Sequence, residues 1–170
     1  MFISSNATNI FLIGMMGCGK STIGKQLSER LEYQFLDTDQ RIEAKEKMTI
    51  SSIFEKQGEA YFRSAEKQLL SELNCEHTVV ATGGGMVELA EFYQLTSSLG
   101  KSVYLKYSAA SLIQRIGKHK TSRPKYIDED QFSALFLKRA PIYEKADLTI
   151  DAEHLTIEQI CDELMLQLTL

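Results

Sequence analysis

The sequence predicts an α/β fold, a parallel sheet covered by helices on both faces. Three observations carry this. Short apolar runs rich in branched or aromatic residues recur at 10–13, 33–36, 78–81, 102–105 and 148–150. Longer segments of helical period lie between them. The first run ends in a glycine-rich turn, GMMGCGKS, that opens onto a helical segment.

The run NIFLI reads as a buried strand, and segment 21–31 then puts Ile23, Leu27 and Leu31 on one helix face. The run at 33–36 is a second strand. Segment 58–73 carries Tyr61, Phe62, Ala65, Leu69, Leu70 and Leu73 in helical rhythm. Strands at 78–81 and 102–105 follow, then a helix over 109–116. The run at 148–150 closes the sheet, and 157–168 repeats the helical period with Ile160, Leu164 and Leu168. Prolines occur only at 124 and 141, so nothing interrupts the alternation before them. Sheets of this kind bind ligands at the carboxyl ends of their strands.

A chain of 170 residues is expected to form a single domain over 1–170, with 44% hydrophobic and 25% charged residues. The net charge of −4 argues against a nucleic-acid partner, which needs a basic field. Cys18, Cys75 and Cys161 are odd in number and widely spaced, as expected of reduced thiols in the cytosol. The start, MFISSNATN, lacks the basic opening of a signal peptide. The apolar run after it is too short to span a bilayer. A cytoplasmic protein without a membrane partner is expected.

Gly14-x-x-x-x-Gly19-Lys20-Ser21 fits the phosphate-binding loop pattern. Gly14, Gly17 and Gly19 let successive backbone N–H groups point into one concavity, and the following helix adds its positive end. Lys20 would bridge the β- and γ-phosphates of a nucleotide, and the Ser21 hydroxyl would ligate Mg²⁺. Thr22 follows in the same loop-to-helix stretch. Cys18 has two readings, a small tolerated residue or a thiol activated by Lys20 and the helix N-terminus.

Three further turns are distinctive. Asp37-Thr38-Asp39 ends the second strand, and carboxylates at i and i+2 on an extended chain point the same way. One would hold Mg²⁺ and the other would orient the attacking hydroxyl and accept its proton. The alternative is an Asp capping the next helix. Arg63 and Glu66 share a helix face, either as a surface ion pair or as an arginine fixed to clamp a substrate carboxylate. Gly83-Gly84-Gly85 suits a ligand that approaches the backbone closely, where a tight turn needs only one glycine.

Segment 117–124, GKHKTSRP, is basic and without helical period. It is either a solvated loop, with His119 exposed on it, or a lid that brings Arg123 to the transferring phosphate. Arg139 comes near the end of a helix, where its alternative role is to interact with the helix dipole.

With GMMGCGKSTIGKQL, FLDTD, GEAYFRSAE, VVATGGG, SRP and RAPIYEKAD in this order, the chain resembles the shikimate kinase family over nearly its whole length. The resemblance implies a three-layer α/β/α fold like that of nucleoside monophosphate kinases, with a five-stranded parallel sheet in order 2-3-1-4-5. It implies transfer of the γ-phosphate of ATP to the 3-hydroxyl of shikimate with Mg²⁺, in the pathway to aromatic amino acids; a monomer is expected. Residues of about 37–64 would form a small substrate-binding region and about 117–128 a lid. Asp39 would bind ring hydroxyls and act as base. Asp37 would help Ser21 hold Mg²⁺. Arg63 and Arg139 would grip the substrate carboxylate, and Gly83, Gly84 and Gly85 would line the ring. Lys20 and Arg123 would contact the transferring phosphate, and Arg115 would stack on adenine. The family often has two leucines after the lid Arg-Pro; here Lys125 and Tyr126 stand there.

Two rivals share parts of this pattern. A gluconate kinase also takes a polyhydroxy carboxylate, but the FR..E and triple-glycine elements favour shikimate. A non-catalytic nucleotide binder is expected to lack Asp39, Lys20 or a substrate arginine, and none is missing. A regulatory GTPase lacks support, because no Asn-Lys-x-Asp segment occurs.

Overall fold

Five strands form one parallel sheet in the order β2-β3-β1-β4-β5, with helices on both faces. They are β1 (Asn9–Ile13), β2 (Gln34–Asp37), β3 (Thr78–Ala81), β4 (Gly100–Lys106) and β5 (Leu148–Asp151). The structure, a computed structural model, describes residues 9–117 and 128–168. Each of the five apolar runs is a strand, and the order is the one implied by the resemblance.

β1 is central and wholly buried, as the apolar run over 10–13 requires. Its first residue, Asn9, is polar and also buried. Its amide donates to the carbonyls of Cys75 and Leu99 and accepts from Thr78 N–H, so it ties down the chain entering β3 and β4. Unpaired at that depth it would be costly.

The helices are α1 (Lys20–Leu31), α2 (Thr38–Glu46), α3 (Ile50–Glu72), α4 (Phe92–Leu99), α5 (Ala109–Gly117), α6 (Glu129–Tyr143) and α7 (Ile157–Gln167), with a 3₁₀ turn at Met86–Glu88. Helix α1 buries Ile23 and Leu27 and stops at Glu32, whose φ of 55° is left-handed. Helix α7 opens on a capping box between Thr156 and Gln159. Helix α3 starts before the expected 58 and contains a break, with Gly58 at φ 82°, ψ 171°.

The main core lies around β1, β3 and β4 and the helices against them. A second, smaller apolar cluster joins Ile42 of α2 to Ile53 and Phe62 of α3. It gives the α2–α3 region its own packing beside the open end of the sheet.

Candidate active site

The loop between β1 and α1 is shaped by left-handed glycines, with φ 86° at Gly17 and 91° at Gly19. Gly19 caps α1 without a side-chain hydrogen bond, so the first-turn N–H groups of the helix are presented to a ligand. Lys20 lies across the loop, its Nζ 2.8 Å from Gly14 O and 3.0 Å from Met15 O. The Cys18 side chain is fully buried beneath the loop, its Sγ 3.5 Å from Lys20 Nζ. That placement fits the packing reading of Cys18. Thr22 is exposed on the first turn of α1. Arg115 lies over the buried Tyr107 ring at 4.7 Å, on the same side as Gly19.

Ser21 Oγ donates to Asp37 Oδ2 at 2.6 Å. Asp37 Oδ1 accepts from the N–H of Asp39 at 3.0 Å and of Gln40 at 3.2 Å. One side chain therefore caps α2, as the alternative reading has it, and also faces the loop serine. The expected geometry of the pair does not. Asp39 is in the first turn of α2, not on an extended strand end, because the Asp37 cap starts the helix at Thr38. Asp39 instead turns towards the triple glycine: a Cβ on Gly83 would stand 2.6 Å from Asp39 Oδ1 and 2.9 Å from Glu66 Oε1.

The Arg63–Glu66 pair is no surface ion pair. Arg63 Nη1 donates to Glu66 Oε2 at 2.6 Å, and the Glu66 side chain is 0% exposed. Burial raises the Glu66 carboxyl to about 6, against the pull of Arg63. Glu66 Oε1 has no hydrogen-bond partner among the described residues. Arg63 Nη2 donates to Glu59 Oε1 at 2.9 Å.

Arg139 is buried, and its Nε and Nη2 both donate to Glu88 Oε2, at 3.0 and 2.8 Å. Its place in the interior overturns the reading of a helix-end dipole partner. Burial pushes the Glu88 carboxyl up, but the bonds from Lys138 and Arg139 outweigh it and hold Glu88 below its usual range. A Cβ on Gly85 would overlap the guanidinium of Arg63 and stand 2.7 Å from Arg139 Nη2. Both guanidiniums therefore converge on Gly85, and only glycine leaves them room.

Sequence reasoning missed Glu88, Glu59 and the role of Tyr143. The Tyr143 hydroxyl donates to Gly84 O at 2.5 Å, and its ring stacks on Tyr104 at 5.2 Å. Thr38 was also missed: its Oγ1 accepts the Gly83 N–H at 2.8 Å. The i, i+4 spacing of Glu59 and Arg63 was a signal that could have been read.

Lys20, Ser21, Asp37, Asp39, Arg63 and Arg139 line one cavity of about 740 Å³, with Gly83, Gly84 and Gly85 in its wall. Arg123, His119 and all but the ends of the expected lid over about 117–128 lie outside the described residues. Among the described residues no helix is long and apolar enough to cross a membrane, and no three His, Cys, Asp or Glu side chains cluster as a metal site. The described cysteines are free thiols.

The family model for shikimate kinase matches residues 16–169. A shikimate kinase of Prochlorococcus marinus (strain NATL2A) is 42% identical over 85% of this chain and 75% of its own length. One from Bacillus cereus (strain G9842) is 38% identical over 92% of this chain and 95% of its own. The solved shikimate kinase from Acinetobacter baumannii in complex with shikimate superimposes with a TM-score of 0.89 at 36% identity, covering 95% of this chain and 93% of that one.

Proposed function

Because the chain belongs to the shikimate kinase family, we propose that this cavity passes the γ-phosphate of ATP to the 3-hydroxyl of shikimate, giving shikimate 3-phosphate and ADP. The observation that carries the substrate assignment is the convergence of Arg63 and Arg139 on Gly85 in one cavity with the phosphate loop. Two guanidiniums are suited to a planar carboxylate.

Asp39 is the base. It accepts the hydroxyl proton as the ring oxygen bonds to phosphorus and the bond to ADP breaks. Its Oδ1 lies beside Gly83, on the floor where the ring would rest. The Gly83 N–H is already given to Thr38, so Gly84 and Gly85 are left as the backbone donors for substrate. Lys20 leaves its loop carbonyls for the β- and γ-phosphates. Arg123 joins it on the transferring group, and Arg115 offers its outer face to adenine.

Ser21 and Asp37 supply oxygen donors 2.6 Å apart, a set that suits Mg²⁺, which is commonly held by one or two protein oxygens together with phosphates and water. Bound there, the ion would neutralise charge on the phosphates. The region of about 37–64 is the substrate-binding part, supported by its separate apolar cluster. The rest of the reading is a cytoplasmic monomer, with ATP and shikimate as its partners and neither nucleic acid nor membrane.

The test is ADP release by the purified protein with Mg·ATP and shikimate, gluconate or no acceptor. Release with shikimate alone is expected; release with gluconate overturns the substrate. In Asp39→Asn, ATP binding should persist while turnover falls about 100-fold or more. Near-normal turnover would remove Asp39 as the base.

A further inference from the structure

Two guanidiniums at the pocket floor are held by three carboxylates of very different exposure. The side chain of Glu66 is 0% exposed, that of Glu88 18% and that of Glu59 55%. Glu66 and Glu88 are set in the interior. Glu59 has water on one side.

The bond that Glu59 makes is to a guanidinium that lines the pocket. It goes to Arg63 Nη2, which together with Nη1 and Arg139 Nη2 crowds the position of a Cβ on Gly85. Glu59 begins the second half of α3, directly after the break at Gly58. At neutral pH the cations Arg63, Arg139 and Lys138 face the carboxylates Glu59, Glu66 and Glu88. When Glu59 swings out, the cluster loses one negative charge.

We propose that Glu59 is a displaceable counter-carboxylate, occupying on Arg63 the place that the substrate carboxylate takes. This rests on the reading of Arg63 and Arg139 as the carboxylate site. An incoming carboxylate replaces Glu59 charge for charge and keeps its two fixed neighbours. A neutral polyol of the same shape leaves Glu59 on Arg63, so it neither meets the competition of Glu59 nor gains when Glu59 is removed. The cost to the true substrate is small, because an exposed ion pair resists a competitor by no more than about fivefold.

The experiment measures the KM for shikimate at saturating Mg·ATP in the unmodified enzyme, Glu59→Gln, Glu59→Ala and Arg63→Ala. It also measures binding of the shikimate analogue bearing hydroxymethyl in place of carboxylate. Both Glu59 variants should lower the shikimate KM about two- to fivefold. They should tighten binding of the neutral analogue less than twofold, because it makes no use of the released charge. Arg63→Ala should raise the shikimate KM about tenfold or more. A KM unchanged or raised in both Glu59 variants, with Arg63→Ala impaired, overturns the proposal and makes Glu59 a support for Arg63. An equal gain for the neutral analogue also overturns it. A KM unmoved in Arg63→Ala overturns the carboxylate site itself, and this proposal with it.

Discussion

Glu66 carries a carboxylate with no access to water, and its proton affinity has a consequence for stability. Burial lifts its pKa from 4.5 in the open chain to about 6 in the fold. Between those values the folded state binds more protons than the unfolded one, so this residue makes stability fall as pH rises from 4.5 to about 6. Above that window the penalty is complete and constant. Glu66→Gln should flatten this part of the curve, read as Tm against pH. A slope unchanged in the variant would assign the window to other groups. Legibility in the sequence divides at the same scale. Lys20, Ser21 and Asp37 could be read because local spacing fixes what they face. Glu88 could not, since its partner Arg139 lies 51 residues away and no periodicity links them. Tyr143 and Gly84 are 59 apart, and only the fold brings them together.

Helix α3 shows what periodicity can and cannot find. Its second half has a strong apolar rhythm and was legible from 58 onward. Its first half buries Ile53 alone, too little for a pattern, and the chain there reads as polar. Helix α2 was anticipated only as what an Asp cap would open, because it buries just Thr38 and Ile42. That cap also turned Asp39 from a strand end into a helix residue. Gly58, which separates the halves of α3, has φ 82° and ψ 171°, a combination open essentially only to glycine. A Cβ there would meet nothing within 4 Å, so the cost of Gly58→Ala is conformational strain alone. It should be about 1–3 kcal/mol in urea unfolding. A loss below about 0.5 kcal/mol would mean that the break tolerates a side chain after all.

Across the whole molecule, binding and folding share one equilibrium. A ligand at about 100 times its Kd adds about 2.7 kcal/mol. In a domain of this size that should raise Tm by about 5–10 °C. Shikimate should produce this shift, and gluconate at the same concentration should not; equal shifts would mean that the pocket does not discriminate between the two acids. The residues alone did not give the order of the sheet, because parallel neighbours are chosen by crossovers and not by local pattern. Only the resemblance supplied it. That order has a further consequence for the newly made chain. β1 and β2 are consecutive and joined by α1, the arrangement that most often places two strands side by side. In the finished sheet β3 lies between them. During synthesis the ribosome needs several seconds, at about 5–20 residues per second, to pass from β1 to β3. Through that interval the nascent chain holds a largely apolar strand whose proper neighbours do not yet exist. The nearest substitute is β2, and a β1–β2 pair formed early must come apart before β3 can enter.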